Sequence, residues 1–266
     1  MIRSFTFVAG AVLAAGLAAC AATGTAEAPP VDESLSAANA HPVATKLVGY
    51  LKSGDLDGVA LLGPPPAPDS LTGKADRARY EQTRSLEGSA RWKQAIADND
   101  LWGGGALKQY ACKLGVSIDE KQTPTALRVL ERVELDVRTV GKPAKDAFNR
   151  TRPLIGDDKP VCIPREDWLK TNASYPSGHS MTGWAWALIL AELAPQKADA
   201  MMSVGKEIGE SRVICGVHYA SDVEAGRILA SAMVARIHAD PQFQADMQKA
   251  RAEIAKAGAA PTGCAA

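Results

Sequence analysis

The chain has 266 residues, 46% of them hydrophobic, which is enough for the core of one domain of ordinary size. Thirty Lys and Arg balance thirty Asp and Glu, which excludes a global field for nucleic acid or an anionic membrane and leaves any anion site to be built locally. Aromatic residues make up only 5%, a composition that favours helices packed on helices over sheets.

At the N-terminus, Arg3 and the apolar, small-residue stretch from Phe5 to Ala19 read as an export signal, too short and too weakly apolar to be a membrane anchor. Leu17-Ala18-Ala19-Cys20 resembles a lipobox, in which Cys20 becomes the lipidated first residue, and cleavage after Ala26-Glu27-Ala28 is the alternative. Residues 1–20 are therefore read as a signal peptide and 21–45, rich in Ala, Pro, Ser and Thr, as a flexible tether. Residues 46–258 are read as one helical domain in the periplasm, with lipid on Cys20, anchored in the outer membrane, as its one membrane contact. With Cys20 set aside, Cys112, Cys162, Cys215 and Cys264 form an even set in an oxidising compartment, and no two are spaced as zinc ligands.

Leu61 to Ser70 holds three consecutive prolines, cannot be helical, and should lie as an extended strap over the body. Ser70 to about Asp98 is charged and rich in helix formers, and Trp102-Gly103-Gly104-Gly105 marks a bend between helices. Thr123 to Lys145 carries Ala126, Leu127, Leu130, Val133, Val137 and Val140 at a spacing of three and four, one apolar helical stripe that Gly141-Lys142-Pro143 should bend or interrupt. Ser177 to Leu193 is the next helix, with Met181, Trp184, Leu188 and Ile189 on its buried side and Pro195 ending it. Asp199 to Arg212 and Asp222 to His238 complete the set, the last opening with the capping-box pattern Ser221-x-x-Glu224.

Three short segments hold the residue types that phosphate chemistry needs. In the first, Lys145 and Arg152 stand seven residues apart, nearly two helical turns, with Pro153 steering Arg152 out of the helix. In the second, Tyr175-Pro176-Ser177-Gly178-His179 opens a helix: Ser177 caps it, Gly178 lets a ligand approach the backbone, and the first-turn amides form an anion seat. A His in that turn can donate a proton to an oxygen of the bound anion. In the third, Arg212 can grip phosphate oxygens in a fork, and His218 is followed four residues later by Asp222, near enough to accept one ring N–H and leave the other nitrogen to attack. Cys162 and Cys215 flank these segments and are expected to pair, leaving Cys112 and Cys264 as a second pair.

Together the segments resemble the signature of the type 2 phosphatidic acid phosphatase superfamily: Lys145 to Arg152-Pro153, then Pro176-Ser177-Gly178-His179, then Ser211-Arg212 to His218 and Asp222. The chain is most similar to the class A bacterial nonspecific acid phosphatases. That likeness is carried by Pro64-Pro65-Pro66-Ala67-Pro68-Asp69-Ser70, Tyr80-Glu81-Gln82, the run from Ser174 to His179, Ser211 to Gly216 and Ser221-Asp222-Val223. Ala173 and Ser180 stand where the class shows Gly and Thr, and Ser180 keeps the hydroxyl.

The resemblance implies an all-α single-domain helical bundle and a secreted acid phosphatase that hydrolyses phosphate monoesters through a phosphohistidine, with transfer to an alcohol acceptor as a further capacity. His218 would be the nucleophile oriented by Asp222, and His179 the general acid. Lys145, Arg152, Arg212, Ser177 and the Gly178 amide would hold three phosphate oxygens. No metal and no cofactor are needed, because three cations neutralise the dianion. A protonated His179 beside a neutral His218 suits mild acidity, given an ordinary His pKa near ~6.5. The partners expected are small phosphate monoesters and further copies of the same chain in a homo-oligomer, with no nucleic acid. Two rival readings are a vanadium-dependent haloperoxidase, whose site holds vanadate in place of phosphate, and a phosphate-binding lipoprotein without turnover.

Overall fold

The structure, a computed structural model, describes residues 47–264, so the signal peptide, the tether and Cys20 lie outside the described residues. The elements are all helical: α1 Gly58–Leu62, α2 Leu71–Thr83, α3 Ala90–Ala97, α4 Ala106–Leu114, α5 Pro124–Phe148, α6 Trp168–Thr171, α7 Gly178–Leu193, α8 Ala198–Ile214, α9 Ala220–Ile237 and α10 Pro241–Lys256. The all-α expectation is met. No helix among the described residues is long and apolar enough to cross a membrane.

Helix α7 is the hub, packed against α8, α9, α5 and α10. Its buried set runs round most of the cylinder, from Ser180 and Met181 through Ala185, Trp186 and Ile189 to Leu193. The expected stripe is corrected here: Met181 and Ile189 are in the core, but Trp184 and Leu188 lie only partly buried at its edge, and the indole at the centre is Trp186. That ring meets Trp102 edge-on at 4.6 Å and donates from Nε1 to the Leu130 carbonyl at 3.0 Å, so its one polar atom is satisfied. Truncating a side chain so placed costs about 3–5 kcal/mol.

Small residues let α7, α8 and α9 approach one another. A Cβ on Gly205 of α8 would stand 2.6 Å from Ala187 Cβ, and one on Gly226 of α9 would stand 2.8 Å from the Ser177 carbonyl oxygen. Helix α9 thus crosses α7 at the turn where α7 begins.

Other elements depart from the sequence reading in instructive ways. Leu61 and Leu62 close α1, and only the stretch after them is extended, because the prolines begin at Pro64. Helix α5 runs unbroken through Pro143: Gly141 is buried against Met181, and tertiary packing holds what the local pattern argues against. At α9 the carboxylate on the capping amide belongs to Asp222, which accepts from Tyr219 N at 2.7 Å, and the Ser221 hydroxyl is turned to Asp76 and Arg150. Helix α10 was not anticipated, yet Asp240 caps it, Pro241 opens it, and Phe243, Met247, Ala250 and Ile254 line its buried side at helical spacing.

A second, smaller core of Trp92, Ala95, Leu154, Leu169, Ile214 and Val217 lies around Cys162 and Cys215, which are joined with Cα atoms 4.7 Å apart. Cys112 and Cys264 are joined as well, Cα to Cα 5.4 Å. The buried Arg84 guanidinium reinforces the first link by donating to the carbonyls of Pro160, Val213 and Ile214.

Candidate active site

The helix ends assemble the site. Helix α5 supplies Lys145 in its last turn and stops at Asn149, whose backbone is left-handed at φ 42°, so that Arg152 follows in a loop. Helix α7 begins at Gly178 with Ser177 as N-cap, and Ser177 N donates to the Asp222 carbonyl at 3.0 Å, tying the starts of α7 and α9 together. The end of α8 brings Arg212, and the turn to α9, with Gly216 at φ 79°, brings His218. A Cβ at Gly216 would stand 2.5 Å from the Arg84 guanidinium, so this turn requires glycine both for its conformation and for room.

All eight residues singled out in the sequence meet here. Lys145, Arg152 and Arg212 are 7%, 4% and 1% exposed, which is unusual for cations and decisive for what the site can hold. Lys145 Nζ donates to the Ala173 carbonyl at 2.6 Å. Arg152 is held by Asn172, through the carbonyl and Oδ1 at 2.8 Å each, and by the Val217 carbonyl at 3.0 Å. Arg212 Nη1 donates to Asn99 Oδ1 at 2.7 Å, while its Nε is buried with no hydrogen-bond partner. Neither Arg152 nor Arg212 forms an ion pair with a carboxylate among the described residues. Burial pushes the Arg152 guanidinium down to about 10 against the pull of Asp222, and burial followed by the charge of Arg152 pushes Arg212 down to about 9. Both stay cationic, and each gains from an anion placed between them. The position over Gly178 is open, with no atom within 4 Å of where a Cβ would stand.

The neighbours fix the protons of the two histidines. Arg152 Nη1 stands 3.1 Å from His218 Nε2 and can only donate, so Nε2 holds the lone pair and Nδ1 the hydrogen. His179 Nε2 stands 3.1 Å from the Asn99 carbonyl, which can only accept, so Nε2 carries the hydrogen and Nδ1 is the nitrogen that titrates. Burial holds His218 well below the ordinary imidazole range, helped by Arg152, Lys145 and Arg212. Burial does the same to His179, followed by Arg212, while the Asn99 carbonyl opposes it. The sequence reading wanted His179 protonated at mild acidity; burial first, and the neighbouring cations second, instead favour the neutral form of both rings.

Asp222 is fully buried and fully engaged. Oδ2 accepts from Tyr219 N at 2.7 Å and from the Ser174 hydroxyl at 2.5 Å, and Oδ1 accepts from Arg150 Nη1 at 2.6 Å. Its distance to His218 Nδ1 is 3.6 Å, beyond a hydrogen bond, and the Ser174 hydroxyl faces that nitrogen at 3.3 Å. The expected direct Asp222–His218 bond is thus replaced by a contact through Ser174.

Sequence reasoning missed five residues of this site, among them Asn172, which holds Arg152. Ser174 and Arg150 sat inside segments already marked for their neighbours, and a hydroxyl just before Tyr175-Pro176 was signal enough to test. Asn99 and Asp76 had no local signal, since α2 and the end of α3 reach the site only through the fold. Asp98 anchors the Asn99 segment by accepting from Ser211 on α8 and from Gln94 at 2.7 Å.

The PAP2 superfamily profile matches residues 137–245, from the second half of α5 to the start of α10. An acid phosphatase of Zymomonas mobilis is 40% identical over 203 residues, covering 76% of each chain. A non-specific acid phosphatase of Providencia stuartii is 41% identical over 210 residues, covering 78% of this chain and 85% of the other. Among solved structures, a transmembrane PAP2 type phosphatidylglycerolphosphate phosphatase from Bacillus subtilis superimposes at a TM-score of 0.49 and 18% identity, over 68% of this chain and 90% of its own.

Proposed function

The chain belongs to the PAP2 superfamily and, within it, to the bacterial non-specific acid phosphatases, and from that premise we propose that it hydrolyses phosphate monoesters by way of a phosphohistidine on His218. The observation that carries the reading is the pair of buried guanidiniums, Arg152 and Arg212, with no carboxylate ion-paired to either among the described residues and an open helix N-terminus beside them.

In this reading the phosphoryl group sits between Lys145, Arg152, Arg212, the Ser177 hydroxyl and the Gly178 amide. Phosphoryl transfer asks mainly for positioning and charge stabilisation, and these groups supply both. Arg152 turns to the phosphate and frees the His218 Nε2 lone pair, which bonds to phosphorus as the P–O ester bond breaks. The ring gains positive charge, and its Nδ1–H is held by the Ser174 hydroxyl, itself polarised by Asp222. His179 Nδ1 gives a proton to the leaving oxygen, having acquired it when the dianion offset the repulsion of Arg212. Water then loses a proton to the same nitrogen and attacks phosphorus, releasing inorganic phosphate and restoring both rings. An alcohol in place of that water gives phosphotransfer. Three cations supply the neutralisation that a metal ion would otherwise give. Export to the periplasm, with lipid on Cys20, remains the reading of residues 1–20.

The test is steady-state hydrolysis of an aryl phosphate with a chelator present. The wild type should turn over unimpaired, and His218→Ala should lose activity by about a thousandfold or more. A variant that keeps its rate, or a chelated wild type revived by a divalent metal, would contradict the proposal.

A further inference from the structure

We propose that Arg150 is a positioning residue of this reaction: by carrying the counter-charge of Asp222 it keeps that carboxylate from drawing a proton onto His218, so the imidazole remains a nucleophile in acid. The inference rests on the reading of His218 as nucleophile.

Arg150 and Arg152 stand two residues apart and have opposite fates. Arg152 meets carbonyls, an amide oxygen and the His218 ring, and no carboxylate ion pair among the described residues. Arg150 bridges two acids, Asp222 Oδ1 at 2.6 Å and Asp76 Oδ2 at 2.9 Å, and also donates to the Ser221 hydroxyl at 2.7 Å. Its guanidinium lies over the Tyr219 ring at 4.3 Å, with the side chain only 12% exposed. A guanidinium held on every side in this way has no vacancy for substrate phosphate. Its work is done on Asp222.

The partner acid comes from a distant part of the chain. Asp76, in α2 and 3% exposed, accepts from Arg150, from Ser221 N at 2.9 Å and from the Ser221 hydroxyl. It holds the guanidinium against the first turn of α9, on the Oδ1 side of Asp222. Oδ2 faces His218, and that oxygen is shared with Tyr219 N and Ser174.

The charges facing His218 are Lys145 from α5, Arg152 from the loop after it, His179 from α7, Arg212 from α8 and Asp222 from α9. The three cations favour the neutral ring; the Ser174 backbone carbonyl opposes them, and Asp222, 3.6 Å from Nδ1, is the one charge among them that does so too. A carboxylate within ~4–6 Å of a titrating group moves its pKa by ~1–3 units when uncompensated. With Arg150 the cluster of Asp76, Asp222 and Arg150 carries one net negative charge; without it, two.

The experiment is the pH profile of kcat/KM from about pH 4 to about pH 8 for wild type, Arg150→Met, Asp76→Asn and the Asp76→Asn/Arg150→Met double variant. Each protein is also quenched in base during turnover and the phosphorylated peptide mapped. Removing Arg150 should move the acid limb up by about one pH unit or more, costing about tenfold at the acid end and less near neutrality. Asp76→Asn, which subtracts a negative charge, should move the limb down. The double variant restores the net charge without restoring any Arg150 hydrogen bond, and its limb should return at least half way. It also removes the uncompensated second acid that could unfold Arg150→Met. If the variants map to His218 and lose activity equally at every pH, Arg150 is a structural bolt and the inference is overturned. A phosphopeptide without His218 would instead overturn the nucleophile reading, and this inference with it.

Discussion

Asp222 Oδ2 lies 3.6 Å from His218 Nδ1, and the two meet through the Ser174 hydroxyl, which donates to the carboxylate at 2.5 Å and faces the ring at 3.3 Å. The hydroxyl can accept from the ring N–H only while it donates to Asp222, so the carboxylate orients the imidazole at one remove.

Ser174→Ala should therefore lower kcat by about tenfold, with little change in KM, because phosphate is gripped by other side chains. It should also lower stability by about 1–3 kcal/mol, since a buried carboxylate oxygen loses a donor. Steady-state kinetics and denaturant melts on the same preparation check both. A variant with wild-type kcat would show that Asp222 does not act through the hydroxyl.

The depressed histidines give the protein an acid liability. Both rings titrate well below ordinary imidazole because they are buried among cations, whereas the unfolded chain takes up protons near pH ~6.5. Below that value the unfolded state binds more protons than the folded one, so stability falls as pH drops and is fully present only above it. Sulfate, a dianion that does not itself titrate there, should raise the melting temperature more at about pH 5 than at about pH 7.5, with net proton uptake on binding. Calorimetry in two buffers of different ionisation enthalpy measures that uptake, and His179→Ala should reduce it. Uptake unchanged in the variant would place the acquired proton elsewhere.

The site was legible from sequence where its residues lie in short runs at helix ends. Ser177, Gly178 and His179 share one turn, and Arg212, His218 and Asp222 span the α8–α9 junction, so local spacing brings their functions into view. The missed groups arrive by tertiary contact: Asp76 is 74 residues from Arg150, and Asn99 is 113 from Arg212. The fold followed the same division. Cap and stripe signals placed α7 and α5, but Trp186 rather than Trp184 took the core because neighbours surround α7 on several sides, and α5 crossed Pro143 because its flank is packed.

Asn99 touches both halves of the chemistry, its carbonyl on His179 and its Oδ1 on Arg212. Asn99→Asp keeps the acceptor and adds a charge, which competes with phosphate for Arg212 and favours the protonated His179. KM for phosphate esters should rise about tenfold, and the alkaline limb of kcat should move to higher pH. Unchanged KM together with an unmoved limb would show that Asn99 serves only to pack the loop.

The central claim is that His218 becomes phosphorylated on the reaction path. The direct measurement is a millisecond quench into base, where phosphohistidine survives, during hydrolysis of an aryl phosphate, followed by proteolysis and mass mapping. The account predicts a phosphoryl group on His218 that forms and decays at rates compatible with kcat, is absent from His218→Ala, and accumulates as the aryl leaving group improves. A phosphoryl group on any other residue, or turnover at the normal rate with no phosphoryl-enzyme formed, would contradict it.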